Sequence, residues 1–236
     1  MKLLKLALIF LLYTVSKIYF LWQKIENFIF PPCCLICSKL SKEILCKECK
    51  KELYKKAIFK VQNVEKGKYY FKKHIYIFLY KDKIRNLILD YKFNDKSYLY
   101  KIFSKIIIKN KKICGILEKY DIIIPVPIHK KRKRQRGYNQ SELIAKEIAS
   151  KIEKLEYREN VIEKIKNTVP QSSLSKVQRE QNVQNVYKVV NIEKIKNKRI
   201  IIFDDIYTTG NTVNAISKIL KEKGAKEIIV LTIAKD

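Results

Sequence analysis

The residues most able to do chemistry lie near the C-terminus, where Ile200, Ile201, Ile202, Phe203, Asp204, Asp205, Ile206, Tyr207, Thr208, Thr209, Gly210, Asn211 and Thr212 run without interruption. An apolar run of this length is a strand, and it delivers two adjacent carboxylates to the end of a sheet. The small, hydroxyl-rich turn that follows opens a helix. Ligands of open α/β sheets bind at that carboxyl edge. Backbone amides and Thr hydroxyls at a helix N-terminus sit in a partial positive charge that favours phosphate. The carboxylates would repel the same phosphate. They suit the hydroxyls of an adjoining sugar, or a Mg²⁺ bridging sugar and phosphate. Asp and Thr also form ordinary turns, but strand, acidic pair, Thr-Thr-Gly and a further Thr in one stretch argue for a binding loop.

Six cysteines are present; five fall between Cys33 and Cys49, and Cys114 stands apart. This is no disulfide framework spread over a secreted fold. Cys34 with Cys37, and Cys46 with Cys49, form two CxxC pairs eight residues apart. Two such knuckles can present four thiolates to one tetrahedral ion, which points to structural Zn²⁺. A redox pair and an iron–sulfur site are the competing readings. Cys33 could replace Cys34, although the two-residue spacing favours Cys34. Cys114 reads as a small buried hydrophobe.

A third cluster runs from His129 through Lys130, Lys131, Arg132, Lys133, Arg134 and Gln135 to Arg136, with six permanent cations in eight positions. Such a loop costs repulsion unless an anion lies against it. A small phosphate ligand would need one or two of these charges. The excess suits a nucleic-acid backbone, with Tyr138, Tyr91 or Phe93 available to stack bases; a solvated basic face is the alternative. The whole chain carries 51 Lys and Arg against 23 Asp and Glu, a formal +28. A polyanionic partner is expected, though a composition rich in Lys, Ile and Asn, of the kind an AT-rich genome gives, accounts for part of the excess.

These groups must be positioned by an α/β framework. A chain of 236 residues with 47% apolar side chains buries a full core, which excludes disorder as its main state. Asp121 to Val126, Ile200 to Phe203 and Ile228 to Ile233 have the continuous apolar character of strands buried on both faces of a parallel sheet. Tyr76 to Tyr80, Val161 to Ile165 and Val186 to Val190 are further strand candidates. Helical spacing appears at Ile84 to Leu89, Tyr98 to Ile108, Ser141 to Lys154 with Asn139 as cap, and Thr212 to Lys223, which Gly224 stops. The apolar start, from Leu6 through Trp22, predicts a helix ended by Pro31 and Pro32. Lys17 interrupts it, and no AxA-like cleavage site is present. It therefore reads as a helix that packs on the body or lies in a membrane surface, ahead of one that spans. Residues 1–30, 31–66 and 67–236 are the expected divisions: apolar helix, zinc ribbon and α/β domain.

The acidic pair and its turn resemble the ribose-phosphate loop of type I phosphoribosyltransferases. Pro125, Val126, Pro127, Ile128 and His129 running through Arg132 and Arg136 to Gly137, Tyr138, Asn139 and Gln140 resemble the ComF family of DNA-uptake proteins. So do Pro170, Gln171, Leu174, Arg179, Asn182, Val183 and Tyr187, and the CxxC pairs. The resemblance spans about residues 28 to 236. It implies a parallel-sheet type I phosphoribosyltransferase fold preceded by the helix and a small zinc ribbon, in a cytoplasmic protein that is membrane-associated if its first helix meets a bilayer. It implies that Asp204 and Asp205 contact ribose or Mg²⁺ and that Thr208, Thr209, Gly210, Asn211 and Thr212 hold the 5-phosphate of phosphoribosyl pyrophosphate. Arg179 would reach a phosphate from a loop over the site. Lys131, Arg132, Lys133, Arg134, Arg136 and Tyr138 would meet single-stranded DNA, and a DNA-processing protein would be a partner. The rival expectation is a transferase of nucleotide salvage, with sensing of the ligand as a third. Transferases of this fold place part of an acceptor-gripping hood after the last strand; this sequence stops at Asp236, which leaves the acceptor site in question.

Overall fold

The computed structural model describes residues 2–65, 67–166 and 186–236. The chain forms two compact units, Met1–Leu53 and Tyr54–Asp236. The first unit contains helix α1 (Lys2–Ile29), the four-cysteine segment and most of α2 (Lys47–Lys56). Helix α1 exposes large apolar side chains from Leu12 onward, including Trp22 at 64% and Phe28 at 88%. No helix among the described residues is long and apolar enough to cross a membrane.

The second unit is a six-stranded sheet of order β1-β2-β8-β7-β3-β4. Its strands are β1 (Lys60–Asn63), β2 (Lys73–Leu79), β3 (Ile122–Pro125), β4 (Glu156–Tyr157), β7 (Arg199–Tyr207) and β8 (Glu227–Lys235). All neighbours are parallel except β1, which pairs antiparallel on β2. The edge strand β1 lies within residues 31–66, the span expected for the ribbon. Strands β5 (Ile162–Lys164) and β6 (Tyr187–Val189) form a separate antiparallel pair.

The isoleucine-rich centres of β3, β7 and β8 are buried throughout: Ile122 to Ile124, Ile200 to Phe203 and Ile228 to Leu231 are each at most 2% exposed. Alternation splits them between two layers. On one face Ile200, Ile202, Ile228 and Val230 pack with Val213, Ile216 and Leu220 of helix α8 (Asn211–Glu222). The other face is covered by α7 (Gln140–Ala149), which packs on β3 and β7, and by α4 (Leu99–Lys109), which packs on α7. Each such buried side chain contributes roughly 1.5–3 kcal/mol, so a charge at Ile201 would collapse the centre of the sheet. Helix α3 (Asp82–Phe93) precedes α4, and α5 (Lys111–Leu117) follows it under an Asn110 cap whose side chain accepts from the Ile113 amide.

Two expectations need correction. Residues 129–136 are not an open loop: Lys130–Arg136 form the short helix α6, with the His129 ring accepting from the Lys131 amide at its start and left-handed Gly137 at its end. Strand β7 also runs past Phe203 to Tyr207, so the acidic pair lies inside the strand instead of in the turn. The extension follows from the neighbours. β8 pairs with β7 as far as Tyr207 opposite Lys235, whereas β3 leaves it at Pro125 opposite Phe203.

Candidate functional site

The early end of β3 opens the site. After β3 the chain turns through α6 and α7 toward β4, and after β7 it turns through α8 toward β8 on the opposite side. The crevice between diverging connections is where open parallel sheets bind ligands. Here it is a cleft of about 850 Å³. Asp204, Asp205 and every residue from Thr208 to Thr212 line it, as do Arg132, Arg136 and Tyr138.

The two carboxylates occupy different surroundings. Asp204 shows part of its surface to the cleft, and its Oδ1 accepts from the Asp205 amide at 2.9 Å and from the Ser141 hydroxyl at 3.4 Å. Burial, reinforced by the neighbouring Asp205 charge, pushes its pKa up to about 7. Asp205 is held by Lys92, whose Nζ lies 2.8 Å from its Oδ1; the lysine and aspartate side chains are 18% and 13% exposed. Two carboxylates, one of them reluctant to ionise, form a donor set that a divalent oxygen-seeking cation would satisfy.

The turn beyond them is built on one glycine. Gly210 adopts φ 78°, ψ 0° as the residue before α8, and a Cβ there would overlap the Tyr207 hydroxyl. Tyr207 in turn stacks on His74 at 4.0 Å between ring centroids, and His74 stacks on Tyr76 at 5.1 Å. His74 shares a 2.9 Å hydrogen bond with Thr232 inside the sheet. Thr208 and Thr209 are exposed, while the amides of Asn211 and Thr212 begin the helix. Tyr187 of β6 is hydrogen-bonded to Thr212, and burial raises its phenol well above the usual range. Lys164 of β5 also lines the cleft; burial, then repulsion from Arg132, lowers its affinity for a proton.

The basic cluster is divided by the short helix that carries it. Arg132 and Arg136 turn toward the cleft. Lys133 turns away, to Glu142 at 3.0 Å and Glu159 at 3.9 Å. Lys131 and Arg134 are exposed. Of the three aromatics proposed for stacking, Tyr91 is fully buried with its hydroxyl on the Gln140 carbonyl, which removes it from that role. Tyr138 is partly buried and donates to the Tyr91 carbonyl. Phe93 is 63% exposed. Arg179 lies outside the described residues, as does the stretch from Pro170 to Val183. Sequence reasoning missed Lys92, Lys164, Tyr187, Ser141 and Tyr207. Only Tyr187, the last residue of a family motif, and Tyr207, within the run that holds the acidic pair, carried a signal.

In the first unit the Sγ atoms of Cys34, Cys37, Cys46 and Cys49 all lie within 4.8 Å of one another. Cys37 and Cys46 are 3.7 Å apart, close to the ~3.8 Å edge of a tetrahedron with metal–sulfur bonds of about 2.3 Å. Burial opposes ionisation of Cys34, but amides of Cys46, Cys37 and Ile36 outweigh it and hold the thiol at about 6; burial pushes Cys49 up. Cys33 is turned out of the group, with its sulfur 3.1 Å from the Pro31 carbonyl. The four grouped cysteines could hold a structural metal, in the register that the spacing indicated.

Fold and cleft together define a phosphoribosyltransferase-type domain, and residues 139–236 match the family model described as phosphoribosyl transferase domain. The chain is 29% identical over 160 residues to Competence protein F of Haemophilus influenzae, covering 66% of this chain and 69% of that protein. It is 29% identical over 155 residues to Competence protein ComFC of Streptococcus pneumoniae, covering 66% and 64%. With DNA utilization protein YhgH of Escherichia coli strain K12 it shares 26% over 155 residues, covering 64% and 66%. The match thus spans about two thirds of these relatives' length, and the chain is ComF-like, as its motifs indicated. A hypoxanthine phosphoribosyltransferase from Staphylococcus aureus superposes with a TM-score of 0.36 at 13% identity over 58% of this chain and 65% of that one, and the fold assignment does not rest on it.

Proposed function

We propose that this protein binds phosphoribosyl pyrophosphate with Mg²⁺ in the β3/β7 cleft and handles single-stranded DNA during its uptake. One observation carries the first half: an acidic pair and a hydroxyl-rich helix start share one cleft with Arg132 and Arg136. The turn from Thr208 to Thr212 suits the 5-phosphate, and the carboxylates suit the ribose hydroxyls or the cation. The cation, when bound, would neutralise the pyrophosphate and the acidic pair. Ser141 and Lys92 orient that pair; Tyr187 fixes the Thr212 hydroxyl. The DNA role is supported by the competence relatives and by the exposed Lys131 and Arg134 on the helix that also carries Arg132 and Arg136. The four cysteines, in this reading, hold Zn²⁺.

Replacing Asp204 and Asp205 together with Asn keeps their size and removes their charge. Calorimetric titration with phosphoribosyl pyrophosphate, with and without Mg²⁺, should show metal-dependent affinity in the wild type and its loss in the double variant. Equal affinities in the two folded proteins would overturn the assignment. Release of pyrophosphate, assayed with and without single-stranded DNA, separates binding from turnover.

A further inference from the structure

Part of the cleft lining comes from α3 and the residues that flank it, through Tyr80, Arg85, Leu89, Lys92, Phe93 and Asp95. The end of α6 and the start of α7 line the cleft as well. Three features there are unexplained by phosphate or cation binding. First, the Phe93 ring is 63% exposed at the cleft, where an aromatic side chain gains nothing from water. Second, the Arg136 guanidinium lies over that ring, 4.7 Å from its centroid, while its Nη1 donates to Gln140 Oε1 at 3.0 Å. The guanidinium is thereby anchored over one side of the phenyl ring, and the two side chains form a cation–π pair at the cleft. Third, Gln140 is 1% exposed and lines the cleft, yet its amide nitrogen has no hydrogen-bond partner among the described residues. A buried donor left open is a standing cost that an acceptor atom from outside would remove.

An exposed aromatic ring paired with a guanidinium, beside an open amide donor, has the complement of a planar heterocycle with carbonyl or ring-nitrogen acceptors on its edge. We infer that Phe93, Arg136 and Gln140 form a nucleobase subsite, with the base stacked on the Phe93 and Arg136 pair and its acceptor edge toward the Gln140 amide. The inference deepens the proposed function and rests on its DNA half. It assigns base contact to Phe93 in place of Tyr138, whose hydroxyl is already committed to the Tyr91 carbonyl. Lys92 ties the two halves together, since the residue beside Phe93 in sequence is the one that grips Asp205.

The test uses the full chain and two substitutions at an exposed position, Phe93→Leu and Phe93→Tyr, with melting curves to confirm folding. Each protein is titrated at one salt concentration with a short oligothymidylate, whose bases present carbonyl acceptors, and with an abasic strand of equal length and charge. Stacking on an aromatic side chain should make the thymidylate bind wild type more tightly than the abasic strand by about 5- to 150-fold. Phe93→Tyr should keep that increment, and Phe93→Leu should reduce it at least about fivefold. Free thymine at millimolar concentration distinguishes the source of the base. Competition that Phe93→Leu abolishes assigns the subsite to free bases as well, and failure to compete assigns it to bases carried on a strand. An increment undiminished in Phe93→Leu, or a wild type that shows neither increment nor thymine binding, overturns the subsite. A parallel titration with phosphoribosyl pyrophosphate keeps the two readings apart: its failure beside an intact, Phe93-dependent increment would sink the phosphate assignment alone.

Discussion

The Lys92 ammonium lies 2.8 Å from Asp205 Oδ1, with both side chains mostly sheltered from water. It supplies an ion-paired positive charge to two carboxylates that repel each other. Lys92→Met removes that charge and should destabilise the protein by about 3 kcal/mol, since one partner of a sheltered pair is left alone. Mg²⁺ added without any other ligand should then raise the melting temperature of the variant more than that of the wild type. Equal responses to Mg²⁺ would show that the lysine and the cation do not serve the same charge.

His74 offers a pH test away from the cleft. Burial, with a smaller contribution from the Lys235 ammonium, lowers its pKa from 6.5 to about 3. The unfolded chain therefore takes up a proton that the native ring refuses. Stability should fall as pH drops from 6.5 toward 3, by about 1.4 kcal/mol per unit from this group. His74→Phe keeps an aromatic ring in the stack against Tyr207 and should remove this part of the slope. Urea denaturation of both proteins across that window decides it; parallel slopes would mean that the ring titrates freely.

Four grouped thiols predict one equivalent of zinc in purified protein, contributing on the order of 10 kcal/mol to folding at neutral pH. Elemental analysis of the wild type and of Cys37→Ser with Cys46→Ser should show the metal lost from the variant. Less than half an equivalent in the wild type, with iron also absent, would refute the site.

The divided basic helix predicts unequal shares in DNA binding. Replacing Lys131 and Arg134 with Ala should lower the slope of log affinity against log salt by about 1.4, or about 0.7 for each single-strand phosphate that is no longer neutralised. Lys133→Ala alone should change the slope by less than half of that per-phosphate amount, because Glu142 and Glu159 already engage its ammonium. A full per-phosphate decrease at Lys133 would show that DNA displaces those carboxylates.

The sequence was most legible where burial acts on both faces of a strand. Ile122 to Ile124 and Ile200 to Phe203 could read only as central strands, and both are. Helix α6 was illegible because a run of cations has no apolar spacing to reveal a period; what holds it are the His129 cap and the Lys133 ion pairs, the latter with residues distant in sequence. The two-residue strand β4 is too short to leave a pattern. The grouped cysteines were legible because a CxxC knuckle is a local geometry. Lys92 and Lys164 were not, because tertiary folding alone brings α3 and β5 to the same cleft as Asp204.

Strand β7 outlasts β3 but not β8, so its last residues belong to the sheet on one edge only. Where β7 faces β8 its amides are locked as far as the pair Tyr207 and Lys235. Beyond Phe203 the other edge meets no strand among the described residues. Amide hydrogen exchange along 204–207 should therefore alternate between slow and fast from one residue to the next, since successive amides point to opposite edges of a strand. The fast members report on whatever enters the cleft, so the strand that carries the acidic pair is also its own occupancy gauge.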